Sequence, residues 1–434
     1  MKLILAALIA FSACVPSRAE PISSGPMAGN QSPRTVTLWL QTNGVESGEI
    51  KYSNVKLKGV PRSFKFTTSS EDDYALHAEL SDLEPASTYT YEIIFKSKTY
   101  GPFEFRTLRN GKSEEEFRVL TGSCAYINDS RFESGKPYGA HYEIFETMAK
   151  ANPDVMLWLG DNSYLRDVDF LNPWSMNQRF RKDRSLPQMQ ALLHKGHHYA
   201  IWDDHDYGPN DSTSSFIFKD HSLKFFKRYW ANPTYGLNET PGIFTSFRKG
   251  DAEFFLLDDR FNRDADRSPN RPEKQMFGPA QMRWLKNALV NSTASFKIIA
   301  GGSQMFNDVN KFEGWQNFPQ ERKDFLDFVA EARITGLFFL TGDRHHTELA
   351  KIERPGTYPI YELTCSPLTS GIHPVSEEEK KNGKHLPGTL IEERNFCQLD
   401  FGGAGSDRRI TVSSFDPTGK MLWEKKIQLS ELGK

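Results

Sequence analysis

The stretch Val155–Tyr164, VMLWLGDNSY, decides the fold of this chain. Its first five residues form a short, continuous apolar run, which is typical of a strand in a sheet that is covered on both faces. Gly160 permits a tight exit from that strand, and Asp161 and Tyr164 follow in the turn. Ligands of open α/β sheets bind at the carboxyl ends of the strands. The stretch therefore predicts a covered α/β sheet with a functional carboxylate and phenol at its edge.

Three further apolar runs end in the same way, in side chains that bind metals or carry catalysis. They are Phe117–Thr121 before Gly122-Ser123-Cys124, Tyr199–Trp202 before Asp203-Asp204-His205-Asp206, and Leu337–Thr341 before Gly342-Asp343-Arg344-His345-His346. If these strands are parallel, their carboxyl ends meet at one edge of the sheet. Four strand ends that bring together Cys, Asp, Tyr and His side chains predict a metal site at that edge.

Length and composition set the class of protein. The 434 residues exceed one ordinary domain, and 25% charged with 38% hydrophobic residues is typical of a globular chain. The formal net charge of −2 gives neither an electrostatic footprint for nucleic acid nor a polybasic membrane patch. We therefore expect a globular protein with more than one structural unit and no specific nucleic-acid partner.

The amino terminus has the pattern of a targeting segment. Lys2 precedes the apolar run Leu3–Ala13, which is too short to span a bilayer and has the length of a signal peptide. Two processing routes are open: Ser17–Ala19 resembles a small-residue cleavage site, and Phe11–Cys14 resembles a lipobox in which Cys14 would be acylated. Both routes predict export, so that the protein is periplasmic, secreted or anchored at the cell surface through a lipid on Cys14.

Three cysteines remain after the targeting segment. An exported protein is expected to carry paired cysteines, yet Cys124, Cys365 and Cys397 are odd in number. At least one of them is therefore free or bound to another group. Cys365 and Cys397 either pair or are small buried hydrophobic residues, and the second interpretation is favoured.

The first part of the chain has the pattern of a β-sandwich. Short alternating segments with turn signals run from Ser32 to Thr107. Leu80–Tyr91, LSDLEPASTYTY, resembles the corner of fibronectin type III domains, where a turn proline leads into a strand. Arg109–Glu116 is polar and is interpreted as a linker. We predict a signal peptide over residues 1–19, a fibronectin/Ig-like β-sandwich domain over 20–110 and a second domain over 116–430.

The pattern of the second domain is that of an α/β fold. Its predicted strands are Phe117–Thr121, Val155–Leu159, Tyr199–Trp202, Phe254–Leu257, Phe296–Ala300 and Leu337–Leu340, and its predicted helices are His141–Lys150, Met176–Leu193, Phe216–Trp230, Pro279–Leu289 and Gln320–Ala332. Such alternation predicts an α/β architecture. Five further strands follow, at Leu349–Ile352, Tyr358–Thr364, Phe396–Asp400, Arg409–Phe415 and Met421–Lys426, and Glu377–Lys384 is interpreted as a charged surface loop.

The first strand ends offer hard anionic ligands. Asp161 and Tyr164 lie three residues apart in one turn, so both can reach a single ion, and a ferric–tyrosinate bond is the obvious candidate. The alternative is that Asp161 caps a helix and Tyr164 packs nearby. Cys124 is a candidate free thiolate, with an inert buried thiol as its alternative.

The remaining clusters differ in what they predict. The four ionisable residues Asp203–Asp206 cannot all be buried without partners, so a cation or a mutual network must hold them unless they form a solvated loop. Asp343 and His345 point the same way if their segment is extended. At least one of His345 and His346 is expected at the surface. The tract His194–His198 lies at the entering end of a strand, so we interpret it as structural or surface.

Together these motifs resemble those of the PhoD-type alkaline phosphatases, in the calcineurin-like metallophosphoesterase superfamily. The matching stretches are Gly25–Met27, Val36–Leu40, Gly122–Cys124, Gly160–Tyr164, Trp202–Asp206, Leu257–Arg260, Gln281–Leu285, Gly302–Phe306 and Gly342–His345. The resemblance implies that residues 116–430 form a PhoD-like metallophosphoesterase domain, a two-sheet α/β sandwich preceded by the β-sandwich. It also implies that metals lie at the strand ends.

The resemblance further implies a multinuclear centre of Fe³⁺ and Ca²⁺, with other divalent cations possible. Carried over to this sequence, it has Cys124 and Tyr164 binding iron, Asp161 bridging the metals, Asp204 ligating the second metal, and Asp343 and His345 completing the shell. Two departures stand out: Asp206 replaces the Glu of many relatives, and Cys365 falls near a loop usually built from small residues.

The implied mechanism is metal-assisted hydrolysis of a phosphate ester. His205 is expected to donate to the leaving oxygen, held in its tautomer by Asp206 or Asp203. Arg260 and Arg344 are candidates for stabilising the transferring phosphoryl group, although a salt bridge to a nearby Asp is the favoured interpretation of each.

The function predicted from the sequence is that of an exported phosphatase for phosphate mono- and/or diesters, acting on small molecules. A phospholipase-C-like phosphodiesterase, acting on lipid head groups, is one alternative. An inactive exported binding or adhesion protein is the other. The complete set of ligand residues argues against an inactive protein, because a site that no longer carries out catalysis is expected to lose several of its ligand residues.

Overall fold

The computed structural model describes residues 20–57, 59–133 and 135–433. The predicted signal peptide and Cys14 lie outside these described residues. Within the described ranges, no helix combines the length and the apolar character needed to cross a bilayer.

The chain alternates strands and helices after a purely β-stranded beginning. The strands are β1 (Ile22–Gln31), β2 (Val36–Thr42), β3 (Ser47–Asn54), β4 (Arg62–Thr67), β5 (Ala75–Leu80), β6 (Thr88–Phe95), β7 (Thr99–Arg106), β8 (Phe117–Gly122), β9 (Val155–Leu159), β10 (His197–Ile201), β11 (Thr245–Lys249), β12 (Ala252–Leu256), β13 (Phe296–Ala300), β14 (Leu337–Thr341), β15 (Glu348–Ile352), β16 (Ile360–Thr364), β17 (Phe396–Gly402), β18 (Arg409–Phe415) and β19 (Met421–Gln428). The α-helices are α1 (Ile144–Lys150), α2 (Pro173–Arg184), α3 (Pro187–Leu193), α4 (Asp204–Tyr207), α5 (Lys219–Tyr229), α6 (Pro279–Asn291), α7 (Pro319–Glu331) and α8 (Glu377–Lys380).

Two large sheets form the body of the second part of the chain. One has the order β19-β18-β17-β8-β9-β10-β1-β2-β5, and the other has the order β11-β12-β13-β14-β16-β15. Strands β8, β9 and β10 are parallel, as are β12, β13, β14 and β16. All five residues of β9 are buried, and one apolar core contains side chains of both sheets. The predicted two-sheet α/β sandwich is confirmed.

The predicted β-sandwich at the amino terminus is also present. A four-stranded sheet, β4-β3-β6-β7, packs against β1, β2 and β5 over a shared core that includes Leu38, Ile50 and Tyr91. Its second layer continues into the nine-stranded sheet, because β1 pairs with β10 through Ala28 and His197. The predicted domain boundary between residues 110 and 116 stays a prediction.

The sequence analysis differs from the structure at four local elements. The predicted helix Met176–Leu193 is two helices, because Pro187 begins α3 and forces Leu186 into an extended conformation. Strand β1 was missed since Gly and Pro interrupt its alternation, and the short edge strand β11 was missed as well. The charged segment Glu377–Lys384 begins with the helical turn α8 rather than being loop throughout.

The favoured interpretation of two cysteines is wrong. Cys365 and Cys397 form a disulfide, with Cα atoms 6.2 Å apart. Cys365 directly follows β16 of the six-stranded sheet, and Cys397 lies in β17 of the nine-stranded sheet, so the bond joins the two sheets. Sequence could not show that two residues 32 positions apart meet across the core. Cys124 is the free cysteine of the described residues and is buried.

Candidate metal centre

The centre lies where β8, β9 and β10 of the nine-stranded sheet and β14 of the six-stranded sheet end, so the predicted strand ends come from two sheets rather than one. Two glycines let these strand ends approach each other. A Cβ on Gly160 would lie 2.7 Å from the Asp203 Cβ, and one on Gly342 would lie 2.6 Å from the Ser123 Oγ. Larger residues would therefore push the strand ends, and the side chains that follow them, apart.

Four residues at these strand ends adopt left-handed backbone conformations. The φ angles are 61° at Cys124, 53° at Asp161, 69° at Asp343 and 56° at His345. Such a conformation costs a non-glycine residue about 1–3 kcal/mol and concentrates at functional sites. The surrounding sheets therefore hold these side chains in place against a local backbone cost.

The first donor group contains a thiol, a carboxylate and an imidazole. Ligand atoms of Cys124, Asp161 and His345 all lie within 4.8 Å of one another, and all three residues are buried. The Tyr164 hydroxyl donates to Asp161 Oδ2 at 3.0 Å and lies 3.3 Å from His345 Nε2. The structure thus brings together four of the residues that we predicted as metal ligands from the sequence, namely Cys124, Asp161, Tyr164 and His345.

His345 is oriented by oxygen atoms on its far side. Its Nδ1 lies 2.6 Å from the Gly371 carbonyl, 3.0 Å from the Ser370 Oγ and 3.2 Å from the Tyr138 hydroxyl. Because a carbonyl only accepts, Nδ1 carries the proton, and the unprotonated Nε2 faces the donor group. Metal-binding histidines are usually fixed in this way. These three orienting residues carry no motif and were missed in the sequence.

The second donor group shares a member with the first. Ligand atoms of Asp161, Asp204 and His205 also lie within 4.8 Å of one another. Asp161 Oδ2 faces Tyr164, whereas its Oδ1 accepts from the His205 backbone N–H at 3.3 Å. The His205 ring stacks on Tyr164 at 4.2 Å, and its buried Nδ1 has no hydrogen-bond partner among the described residues. Asp161 therefore belongs to both donor groups.

The electrostatics of the two groups fit a cation. Burial, followed by repulsion from Asp204 and Cys124, raises the pKa of Asp161 well above its usual range. Burial also raises the pKa of Cys124 to about 12 and that of Asp343 to about 7. A bound cation reverses this preference, since it stabilises the deprotonated thiol and carboxyl groups. Burial also lowers the pKa of His205 and of His345, which favours the neutral imidazoles that can bind a metal.

The centre opens into a cleft. The cleft measures about 720 Å³, and Asp204, His205, Asp343, Arg344 and His345 line it. Asp343 lines the cleft with residues of both donor groups but belongs to neither group, so its role as a metal ligand stays a prediction. A small ester can reach these side chains from the solvent.

The proposed support of His205 by Asp206 or Asp203 is wrong. Asp206 Oδ1 accepts from the backbone N–H groups of Asn162 and Ser163, both at 3.0 Å, and its Oδ2 accepts from the Asp203 N–H at 3.1 Å. Asp203 instead accepts from Arg260. In the described part of the chain, neither carboxylate hydrogen-bonds the His205 ring. Asp206 holds the turn after β9 and the start of α4 together, and its predicted catalytic role has no contact to support it.

Arg260 has the salt bridge that the sequence analysis favoured for it. It is fully buried behind the cleft, and its Nε donates to Asp203 Oδ1 at 2.6 Å. Its two terminal nitrogens donate to Glu313 at 2.8 and 2.6 Å. This pairing corrects its assignment as a catalytic residue. Glu313 lies in a long irregular loop and was missed, because nothing in its surroundings marks it.

Arg344 lines the cleft and is also paired. Its Nη1 donates to Gln304 Oε1 at 3.0 Å, and its Nη2 donates to Glu379 Oε1 at 2.9 Å. The expectation that His345 or His346 lies at the surface is wrong, since they are only 5% and 1% exposed. Both lie in the tightly packed turn between β14 and β15.

Comparison with known proteins supports the family resemblance. The profile of the PhoD-like phosphatase family matches residues 121–406. Alkaline phosphatase D of Bacillus subtilis (strain 168) is 22% identical over 324 residues, which are 63% of this chain and 53% of that protein. The match thus spans about half the length of that relative. Tartrate-resistant acid phosphatase type 5 of Homo sapiens is 20% identical over 326 residues, 71% of this chain and 90% of that protein.

Solved structures show the same fold. The structure of PhoD has a TM-score of 0.75 at 17% identity, covering 95% of this chain and 93% of that one. The purple acid phosphatase PPD1 from yellow lupin (Lupinus luteus) seeds has a TM-score of 0.65 at 11% identity, covering 94% and 75%. From its matched residues and its fold, the chain belongs to the PhoD-like phosphatase family.

Proposed function

We propose that this protein is an exported, metal-dependent phosphoric ester hydrolase that acts on small phosphate mono- and/or diesters. The observation that carries the proposal is the placement of Asp161 between two donor groups that open into one cleft. A two-cation site of this kind suits in-line displacement at phosphorus, because both the attacking and the leaving oxygen need stabilisation.

The proposed cations are Fe³⁺ and a second ion, Ca²⁺ or another divalent cation. Cys124, Tyr164, Asp161 and His345 would hold the iron, and Asp161 and Asp204 would hold the second ion, with His205 beside it. When bound, such cations polarise a phosphoryl oxygen and activate water as a nucleophile. The thiol and phenol of the first group favour the more strongly acidic ion, and the imidazole of the second also suits transition metals.

Two further side chains act on the substrate in this proposal. His205 lines the cleft, and its ring either completes the second donor group or holds a proton for the leaving oxygen. Metal content of His205→Asn distinguishes these roles, because loss of one cation would indicate a ligand. Arg344 also lines the cleft, and its guanidinium, which Glu379 and Gln304 hold in place, would stabilise a transferring phosphoryl group.

Export is part of the same proposal. The apolar run Leu3–Ala13 supports it, and the Cys365–Cys397 disulfide is of the kind that persists in oxidising compartments. The protein would be periplasmic, secreted or anchored through Cys14. Mass spectrometry of the mature protein tests this, because an acylated Cys14 or a new terminus at Glu20 would identify the route, and an intact Met1 in the cell interior would refute export.

Turnover assays with metal analysis test the activity. We expect the purified protein to contain metal, to hydrolyse p-nitrophenyl phosphate or its bis-ester, and to lose both metal and turnover in Cys124→Ala. Phosphatidylcholine vesicles, assayed in parallel, test the phospholipase alternative. A metal-free protein without turnover would instead favour an inactive binding protein, and an unchanged Cys124→Ala variant would contradict the iron assignment.

A further inference from the structure

One wall of the cleft is aromatic. Tyr126, Tyr138 and His373 line it beyond the donor groups. The rings of Tyr126 and Tyr138 meet edge to face at 4.8 Å, and the Tyr138 hydroxyl hydrogen-bonds His373 Nε2 at 2.9 Å. These contacts fix the rings relative to one another, so the wall is a preformed surface rather than a set of independent side chains.

Another aromatic side chain, Phe312, lines the same cleft and is largely exposed to solvent. It is 68% exposed, although single exposed apolar residues are unremarkable in themselves. What distinguishes Phe312 is its place in the cleft of the candidate metal centre, where the Arg344 guanidinium lies over its ring at 5.2 Å from the centroid. Arg344 is itself held by Gln304 and Glu379. The cation covers one side of the ring, and the rest is open to the cleft.

The loop that carries Phe312 is held by hydrogen bonds. Its N–H donates to Asn310 Oδ1 at 2.8 Å, and its carbonyl accepts from Gln316 Nε2 and Asn317 Nδ2, both at 3.1 Å. Hydrogen bonds with three side chains therefore fix the backbone of Phe312, although its own side chain is not packed into a core. Such an arrangement pre-organises an aromatic face for a ligand and lowers the entropy cost of binding.

We propose that Phe312 stacks on a planar ring in the leaving group of the substrate. The inference rests on the proposed function and adds the substrate class: phosphate esters that carry a nucleobase or an aryl ring. A cleft of about 720 Å³ has room for such a group beside the phosphoryl centre. The cation–π contact with Arg344 holds the Phe312 ring from behind, so that its other face stays available to the ligand ring.

The test compares esters with and without a ring in the leaving group. Adenosine 5′-monophosphate and glycerol 3-phosphate both release a primary alcohol, so their intrinsic reactivities are similar, and phenyl phosphate adds the aryl arm. In Phe312→Ala, we expect kcat/KM for one or both ring-bearing esters to fall about tenfold, as for loss of one stacking contact, with glycerol 3-phosphate changed less than twofold. The ester whose kcat/KM falls shows whether the recognised ring is a nucleobase or an aryl group. Phe312→Leu should behave like the alanine variant, and Phe312→Tyr should retain activity.

The chain offers a matched control. Phe132 is also exposed, at 54%, and also has an arginine over its ring, Arg131 at 5.0 Å, but it lines a different groove. Phe132→Ala should leave all three esters unchanged. An equal fall for all esters in Phe312→Ala, or no fall for any, would overturn the inference.

A binding measurement separates this inference from the proposed function. Phenylphosphonate and methylphosphonate are not hydrolysed, and calorimetry gives their affinities without turnover. We expect Phe312→Ala to weaken phenylphosphonate about tenfold and to leave methylphosphonate unchanged. Wild-type protein that hydrolyses no ester would overturn the proposed function, whereas equal effects on the two phosphonates would overturn the stacking role alone.

Discussion

The two ends of the central parallel strands are both rich in ionisable side chains, and they differ in how those side chains are satisfied. At the entering end, His197 Nδ1 contacts the Gly29 carbonyl at 2.8 Å, and His198 Nδ1 accepts from Trp158 Nε1 at 3.1 Å. At the carboxyl end, ligand atoms of Asp161 and its neighbours converge within 4.8 Å. One end uses histidines to join strands, and the other gathers donors around a shared space.

The burial of the two ends is similar, so burial alone does not mark function. His197 and His198 are as buried as Cys124 and Asp161. What separates them is the partner of each polar atom. A group whose hydrogen bonds are complete within the chain has no capacity left for a ligand, whereas crowded anionic groups gain stability from a cation.

The largest expected effect comes from replacing an aspartate by asparagine at the carboxyl end of β9, compared with the same replacement at its entering end. Asp161→Asn should lower kcat/KM at least about 1,000-fold, because it removes the shared charge of the centre. Asp154, just before β9, hydrogen-bonds Arg106 and the Arg118 N–H. Asp154→Asn should keep activity within about twofold. Steady-state kinetics measures both, and similar losses in the two variants would contradict the distinction.

The disulfide should couple stability to the metal centre. Ser123 N–H donates to the Cys365 carbonyl, and the segment after Cys365 leads to Gly371, which orients His345. Cys365→Ala with Cys397→Ala should lower the free energy of unfolding by about 3–4 kcal/mol and weaken metal binding about tenfold. Denaturant unfolding and metal competition measure these changes. Reductant should lower the stability and the metal affinity of the wild type and leave both unchanged in the double variant. A wild type whose stability and metal affinity do not change with reductant would argue against the coupling.

A smaller effect is expected at the entering end. His198→Phe leaves the Trp158 N–H without its acceptor, so unfolding should cost about 1–3 kcal/mol less, with metal content and kcat/KM unchanged. His221 is exposed on α5, and His221→Phe should change stability by less than about 0.5 kcal/mol. Loss of metal in His198→Phe would show that the two ends are not independent.

The last prediction concerns pH and is confined to acidic conditions. Burial lowers the pKa of His197 to about 4 and that of His198 to about 3, so the unfolded chain binds more protons as pH falls below about 6.5. The stability from these neutral rings is present above pH 6.5 and is lost progressively toward pH 4. Between these values, His198→Phe should reduce the slope of stability against pH by about 1.4 kcal/mol per unit. An unchanged slope in denaturant titrations would contradict the assignment.

Much of the fold could be predicted because it rests on local pattern. The apolar run of β9 and the alternation of β4 and β18 define their strands almost to the residue. Strand β1 could not be predicted, because its glycines and proline weaken the pattern and its place depends on pairing with β2 and β10. Long-range pairing of this kind leaves no mark within a short segment.

The candidate site divides in the same way. Residues directly after a buried strand, such as Cys124, Asp161 and His345, could be selected because the strand fixes where they lie. Contacts made across loops could not: Glu313 on Arg260 and Gly371 on His345 depend on how separate segments pack. Asp206 was misjudged for the converse reason, since a residue next to the site can serve the backbone instead.

The most direct test is the metal stoichiometry of purified wild type and Asp161→Asn, measured by elemental analysis on folded protein. The account predicts at least two cations per wild-type chain, and loss of both in the variant, because Asp161 belongs to both donor groups. A variant that keeps its full metal content, or a wild type that hydrolyses phosphate esters without any metal, would contradict it.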